Sequence, residues 1–197
     1  MLSVFKPVAE KSLQPIAKLL HGINPNLLSA LGLIFPVLFF ALLMNELYWW
    51  ALLVFIFNGA DMLDGMVARA TNRVTAFGGF LDSTIDRFAD FVVIAAFAFA
   101  GIADWSLIAP LIMLTYLISY MRSRIELAAN NTLKADVGLI ERTERLLALF
   151  AGLLLYAIFP DAGLFGQNIV ELTCWILIGL SIITVWQRGV FAYKKLS

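Results

Sequence analysis

The sequence is short of charged residues. Only 14% of its 197 residues are Asp, Glu, Lys or Arg, whereas 61% are hydrophobic. A soluble domain carries about 25% charged and about 45–50% apolar residues, so this composition is typical of a membrane protein. The 14 basic and 14 acidic residues cancel, and a chain without net positive charge gives no reason to expect a nucleic-acid partner.

Cysteine and histidine are almost absent. The single cysteine, Cys174, cannot form an intramolecular disulfide, and its apolar neighbours indicate a small packing residue. The single histidine, His21, has no neighbouring ligands and is interpreted as an interfacial residue. A metal site built from clustered Cys and His side chains is therefore not expected.

Long apolar runs, by contrast, are abundant. A membrane-spanning helix needs about 20 mostly apolar residues, and runs of this length satisfy their backbone in lipid as helices. We therefore predict an all-α integral membrane protein with six transmembrane helices. The predicted spans are roughly Leu27–Met44, Leu47–Met66, Leu81–Ile102, Leu107–Leu127, Leu146–Phe159 and Ile169–Val190, of which the fifth is short and can extend back toward Arg142.

The connections between these runs alternate in charge. The first, third and fifth contain Glu46, Asp104 and Asp161 and no Lys or Arg. All basic residues lie at the termini, in the second and fourth connections, or at the adjoining helix ends. The positive-inside rule then predicts a multi-pass protein of the cell membrane, with both termini and the second connection in the cytoplasm.

The first 22 residues differ from the rest. Apolar positions share one broad face and lysines lie opposite, which predicts an interfacial amphipathic helix at residues 1–22, interrupted near Pro7 and Pro15. No cleavable signal peptide is expected there, because the lysines are spread throughout. Residues 23–197 contain no linker, low-complexity tract or repeat, and are predicted to form one six-helix domain.

Four aspartates form the candidate site. Asp61 and Asp64 are three residues apart, and Asp82 and Asp86 are four apart, so each pair shares a helix face. Two antiparallel helices would bring the four carboxylates into a small volume, at a cost in desolvation and mutual repulsion. Hard divalent cations compensate for such a cost, and two ions bridging the carboxylates could clamp a phosphate during displacement.

Residues beside the aspartates suit a phosphate ligand. Gly65 and Gly78 would let a bulky ligand approach the backbone, and Arg69 can neutralise phosphate oxygens. Asp90 continues the face of Asp86 one turn deeper; we expect it to pair with a polar or basic group, with a catalytic role as the alternative. Arg87 is expected to point elsewhere on the helix and to be structural or interfacial.

The spacing of these residues resembles the signature of the CDP-alcohol phosphotransferases, D-x2-D-G-x2-A-R-x8-G-x3-D-x3-D. The six-span pattern resembles that family as well. The resemblance implies a homodimeric membrane enzyme that uses a CDP-linked lipid as donor at a Mg²⁺- or Mn²⁺-dependent site facing the cytosol. The matching positions are Asp61, Asp64, Gly65, Ala68, Arg69, Gly78, Asp82 and Asp86.

The resemblance also implies roles for individual residues. Asp86 is the expected general base, which takes the proton from the acceptor hydroxyl before attack on the β-phosphorus of the donor and departure of CMP. The expected metal ligands are Asp61, Asp64, Asp82 and Asp86. The residues expected to bind CDP are Asp61, Asp64, Gly65, Arg69, Thr75, Gly78 and Asp82.

A basic cluster at the ends of the fourth and fifth runs has two interpretations. It is either a cytoplasmic rim that follows the positive-inside rule or a pocket for an anionic acceptor, since arginine binds phosphate in a bidentate manner. Tyr-x-Arg-x-Arg-x-Glu at 120–126 and Gly-x-x-Glu-Arg-x-Glu-Arg-Leu at 138–146 resemble the branch that makes phosphatidylinositol phosphate or archaetidylinositol phosphate. The predicted acceptor-binding residues are Arg122, Lys134, Arg142 and Arg145.

The predicted acceptor is therefore 1L-myo-inositol 1-phosphate, a small anionic alcohol. Glycerol 3-phosphate is the main alternative, followed by serine or free inositol. Two other classes of protein compete with an enzyme: an ion or metal transporter with the aspartates as its permeation site, and a non-catalytic membrane scaffold. The Asp-Gly and Ala-Arg spacing favours the enzyme, because permeation does not require it.

Overall fold

A computed structural model describes residues 31–56 and 75–197. The predicted interfacial helix, the start of the first span and the motif residues Asp61, Asp64, Gly65 and Arg69 lie outside the described residues. The helices are α1 Ile34–Met44, α2 Tyr48–Ile56, α3 Ala76–Phe99, α4 Trp105–Ala128, α5 Arg142–Ile158 and α6 Ile169–Leu196; the strands are β1 Gly163–Leu164 and β2 Gln167–Asn168.

The chain divides into two compact units between Ala96 and Phe97. In the first unit, α1 and α2 are joined by a tight turn in which Glu46 has a φ of 58°. The two helices pack through Phe39 and Phe55, whose rings meet edge to face with centroids 5.1 Å apart. Both rings are buried, and such a contact stabilises the pair beyond the area it buries.

The end of α3 is defined by Gly101. This residue has a φ of 69°, and its N–H donates to the carbonyl of Ala98 while that of Ile102 donates to the carbonyl of Phe97. These two bonds are those of a Schellman motif, in which glycine provides the left-handed residue. The helix therefore ends at Phe99, three residues before the end of the predicted span.

The second unit is built on α4, α5 and α6. Gly152 of α5 lies against Thr173 of α6, where a Cβ would come 2.8 Å from the Thr173 hydroxyl oxygen. Small residues of this kind let helices in membranes approach closely. The buried side of α6 repeats every three or four residues, as expected for one helix face: it consists of Val170, Cys174, Leu177, Ser181, Thr184 and Arg188.

The helix starts on one side of this unit are capped by polar side chains. Asp104 caps α4 by accepting from Ser106 N at 2.7 Å, and its hydrogen bonds with Ser106 hold the pKa of its carboxyl below the usual value. Asn168 caps α6 by accepting from Glu171 N at 3.0 Å, and Glu171 accepts in return from the N–H of Asn168. The same Asn168 donates through Nδ2 to the carbonyl of Ile102 at 2.6 Å, which ties the two helix starts together.

A short β-hairpin occupies the fifth connection, so the described chain is not wholly helical as predicted. Gly163 pairs with Asn168, and Leu164 with Gln167. The two turn residues, Phe165 and Gly166, have φ values of 56° and 77°, and positive φ at both positions is what a type I′ turn requires. The sequence missed the hairpin because its strands have two residues each, too few for an alternating pattern.

Two helices of the described residues are long and apolar enough to cross a membrane, α4 and α6. The predicted spans in this part of the chain are helical, and α5 does begin at Arg142, as the short fifth run allowed. With 17 residues α5 is short for a span, and α3 has four charged side chains from Asp82 to Asp90. Six transmembrane helices therefore stay a prediction.

Candidate functional site

The start of α3 is fixed by Thr75. Its hydroxyl oxygen accepts a hydrogen bond from Gly78 N at 2.9 Å, and its carbonyl accepts from Gly79 N. Threonine is a favoured N-cap because its oxygen satisfies an otherwise free N–H of the first turn. The structure thus gives Thr75 a capping role, and CDP binding by Thr75 and Gly78 stays a prediction.

Asp82 and Asp86 follow one turn apart on α3, and both are half-buried. The structure also brings a cation to Asp86: Arg87 Nη2 lies 3.3 Å from Asp86 Oδ2. The expectation that Arg87 points elsewhere on the helix is therefore wrong, because its long side chain reaches back to the preceding residue. Asp90, one turn further, is 1% exposed.

The predicted four-carboxylate metal centre combines two aspartates of the second predicted span with two of the third, on either side of the connection between them. Within residues 31–56 and 75–197, no group of three His, Cys, Asp or Glu side chains could hold a metal ion. Asp82 and Asp86 supply two carboxylates on one helix face, and the other two predicted ligands lie outside the described residues. An all-carboxylate donor set fits Mg²⁺ or Mn²⁺ by its chemistry.

The predicted acceptor residues belong to the second unit and surround the α4–α5 loop, residues 129–141. Arg122 on α4 is bound to two carboxylates: its Nε lies 3.2 Å from Glu126 Oε1 and its Nη2 lies 2.6 Å from Asp136 Oδ1. Lys134 is exposed in the loop. Its neighbour Ala135 is buried and donates its N–H to the same Glu126 oxygen at 3.2 Å.

The other two predicted acceptor residues open α5. Arg142 is its first residue and is half-buried, whereas Arg145 is 1% exposed. The helix start is capped from within, since the N–H of Glu141 donates to the carboxylate of Glu144 at 3.2 Å. Both arginines therefore lie in the first turn of a helix whose start is fixed by a capping interaction.

Sequence reasoning missed two residues that shape this region, Thr184 and Arg188 of α6. Both are buried, and both make hydrogen bonds to the α4–α5 loop. A signal for Arg188 existed, because an arginine within an apolar helix needs a polar partner and marks a functional region by default. Thr184 had no such signal, because its partners in the loop are backbone groups more than 40 positions away.

The aspartates of α3 and the basic residues around the α4–α5 loop belong to different compact units. Their combination into one pocket stays a prediction.

Comparison with known proteins identifies relatives along almost the whole chain. Residues 22–186 match a family model described as CDP-alcohol phosphatidyltransferase. The chain is 37% identical over 200 residues to the archaetidylinositol phosphate synthase of Pyrococcus horikoshii, with 100% of this chain and 98% of the relative covered. It is 34% identical over 191 residues to the phosphatidylinositol phosphate synthase of Mycolicibacterium smegmatis, covering 89% and 81%.

The fold is similar to crystal structures of the phosphatidylinositol phosphate synthase of Mycobacterium tuberculosis. The structure of that enzyme with manganese and citrate has a TM-score of 0.75 and 29% identity, covering 91% of this chain and 88% of the other. Its structure with CDP-DAG bound has a TM-score of 0.72 at the same identity, covering 91% and 92%. The predicted family resemblance is confirmed.

Proposed function

This chain belongs to the CDP-alcohol phosphatidyltransferase family, and we propose that it transfers the phosphatidyl-type group of a CDP-linked lipid to 1L-myo-inositol 1-phosphate, releasing CMP. The similarity to archaetidylinositol phosphate synthase, which covers 100% of this chain and 98% of the relative, carries this choice of acceptor. The CDP-DAG bound to the mycobacterial enzyme supports a CDP-linked lipid as donor. A transporter or scaffold is set aside, because the family is one of enzymes.

The proposed chemistry assigns one step to each group of residues. Asp86 takes the proton from the acceptor hydroxyl, and the freed oxygen forms a bond to the β-phosphorus of the donor. The bond from that phosphorus to the oxygen bridging it to CMP breaks, and CMP carries the electron pair away. Arg87 Nη2 lies 3.3 Å from Asp86 Oδ2, so a cation lies beside the proposed base and offsets part of the negative charge of the site.

The proposed metal site comprises Asp61, Asp64, Asp82 and Asp86 with two ions of Mg²⁺ or Mn²⁺. Bound ions would neutralise the diphosphate and stabilise the charge on the leaving CMP. Gly65, Gly78, Thr75 and Arg69 complete the proposed CDP-binding set. Manganese in the mycobacterial structure supports a divalent metal in this family.

The proposed acceptor pocket uses the basic residues of the second unit. A sugar phosphate carries close to two negative charges, and fixed cations must offset its repulsion by the aspartates. Lys134, Arg142 and Arg145 supply those cations. Arg122 holds Glu126 and Asp136, so a phosphate would have to share this guanidinium with a carboxylate.

We further propose that the enzyme is a homodimer of the cell membrane, with its termini and site on the cytoplasmic side. A membrane-surface site suits the reaction, because the donor has lipid tails and the acceptor is water-soluble.

A transfer assay with a panel of acceptors tests the function. Membranes containing the protein are incubated with radiolabelled CDP-diacylglycerol or CDP-archaeol, Mg²⁺ or Mn²⁺, and one acceptor at a time, and CMP and lipid products are measured. We expect an inositol-phosphate lipid with 1L-myo-inositol 1-phosphate, and no product after chelation of the metal. Equal or faster turnover with glycerol 3-phosphate, serine or free inositol would refute the proposed acceptor.

A further inference from the structure

The α4–α5 loop makes polar contacts with two helices, α4 and α6. On the α4 side, Glu126 accepts from the N–H of Ala135, and Arg122 contacts Asp136. These contacts hold the middle of the loop, directly beside Lys134.

On the α6 side, the end of the loop is held by one hydroxyl. Thr184 Oγ1 accepts from Leu139 N at 3.2 Å and from Ile140 N at 3.1 Å, and it donates to the carbonyl of Leu180 at 2.9 Å. A hydroxyl has one donor and two acceptor positions, so its hydrogen-bonding capacity is filled. Thr184 is fully buried, and removing its oxygen would leave two loop N–H groups without this acceptor.

The fit around Thr184 is tight. Gly138 has a φ of 147°, and a Cβ at this residue would lie 2.5 Å from Thr184 Cγ2. One turn along α6, Arg188 donates through Nε to the carbonyl of Val137 at 2.8 Å and through Nη1 to the carbonyl of Ile118. Backbone groups of Val137, Leu139 and Ile140 are thus held by hydrogen bonds to two side chains of α6. At Gly138, the point of closest approach, only glycine fits.

We infer that Thr184 is a positioning residue for the acceptor phosphate. It acts by holding residues 137–140, which lie in the sequence between the two cations Lys134 and Arg142. Arg142 follows Ile140 by only two residues. The inference rests on the proposed function, because it assigns the acceptor phosphate to these cations. Charged groups held in place bind a phosphate better than mobile ones, because less freedom is lost on binding.

Thr184→Val tests this role, because valine keeps the shape of the side chain and removes the oxygen. We expect KM for inositol phosphate to rise between about ten- and a hundredfold, with KM for the CDP-lipid changed less than about twofold, the limit we set for no effect. Thr184→Ser retains the oxygen and should behave as wild type. Thr115→Val is the matched control, since Thr115 is equally buried but its hydroxyl, within the part of the chain that the structure describes, bonds to Leu111 of its own helix and not to the loop.

Gly138→Ala disturbs the same contact from the loop side and should give the same selective rise in KM. It provides a second measurement if Thr184→Val fails to fold. Hydrogen exchange at Leu139 and Ile140 gives a readout independent of turnover: exchange should be faster in Thr184→Val and unchanged in Thr184→Ser and Thr115→Val.

Normal acceptor KM in both Thr184→Val and Gly138→Ala would overturn the inference. So would a loss in which both KM values and thermal stability change together, because that is the result of a purely structural role. If the wild type uses another phosphorylated alcohol instead of inositol phosphate, the proposed function fails, and the same KM comparison with that acceptor still decides the role of Thr184.

Discussion

At the scale of single residues, the chemistry depends on Asp86. We expect Asp86→Asn to lower kcat by about 10²–10⁴-fold, the usual contribution of a general base, while CDP-lipid binding is largely kept. Asp61→Asn should weaken metal and CDP binding as well. Both variants are assayed by CMP release and by equilibrium binding of the CDP-lipid. Wild-type turnover by Asp86→Asn would contradict the general-base assignment.

Substitutions of the two arginines of α5 distinguish a role in acceptor binding from a role in packing. Arg142→Ala should raise KM for inositol phosphate roughly ten- to a hundredfold, because one charge-assisted contact contributes about 1.5–3 kcal/mol. Arg145→Ala should do the same and also lower the melting temperature, because Arg145 is buried.

Arg124→Ala is the control for these variants, since Arg124 is exposed on α4 in the same region and has no role in the proposed site. An unchanged acceptor KM in Arg142→Ala would show that this residue is only part of a positive rim.

Some of these residues and contacts could be predicted from the sequence and others could not, for physical reasons. Asp82 and Asp86 were predictable because their spacing is a local property of one helix, and the structure has them one turn apart on α3. The Arg87–Asp86 ion pair was missed because it depends on a side-chain rotamer. The Thr184 contacts were missed because they join residues 44 and 45 positions apart through backbone groups, which leave no pattern in composition or spacing.

At the scale of elements, Asn168 has two separable functions. Asn168→Asp keeps the cap of α6 but loses the donor to Ile102, and it should lower the free energy of unfolding by about 1–3 kcal/mol. Asn168→Ala loses the cap as well and should cost about 1 kcal/mol more. Denaturant unfolding in micelles, read by circular dichroism, compares the two. Equal stability of Asn168→Asp and wild type would mean that the tie to Ile102 contributes nothing.

The hairpin contains an unfavourable residue. Phe165 lies at a turn position with positive φ, where asparagine or glycine is favoured, and its side chain is 91% exposed. Phe165→Asn should therefore keep the turn and stabilise the protein by up to about 1 kcal/mol. A melting temperature measured in micelles checks this, with Leu164→Asn as the control because Leu164 is exposed on the strand before the turn. A destabilised Phe165→Asn would mean that the phenyl ring contributes more than the strain costs.

At the scale of the whole molecule, the second unit constrains the topology. The Asn168–Ile102 bond joins the starts of α4 and α6, and the Arg188–Ile118 bond joins their later parts, so the two helices run parallel. Both are long enough to span a membrane. If both span it, the Asp104 connection and the hairpin lie on one side, and the α4–α5 loop and the C-terminus lie on the other, which agrees with the alternation of charge in the sequence.

Labelling of introduced cysteines tests this arrangement. The chain suits the method because its single cysteine, Cys174, is buried. In intact cells, a membrane-impermeant maleimide should label Asp161→Cys, in the fifth connection. It should label Asn130→Cys, in the α4–α5 loop, and Lys195→Cys, near the C-terminus, only after the membrane is opened. The physical reason is that α6 has 28 residues and at about 1.5 Å per residue is longer than the roughly 30 Å hydrocarbon core, so its two ends emerge on opposite faces. Labelling of Asn130→Cys together with Asp161→Cys in intact cells would contradict the parallel spans and would remove the basis for a cytoplasmic acceptor pocket.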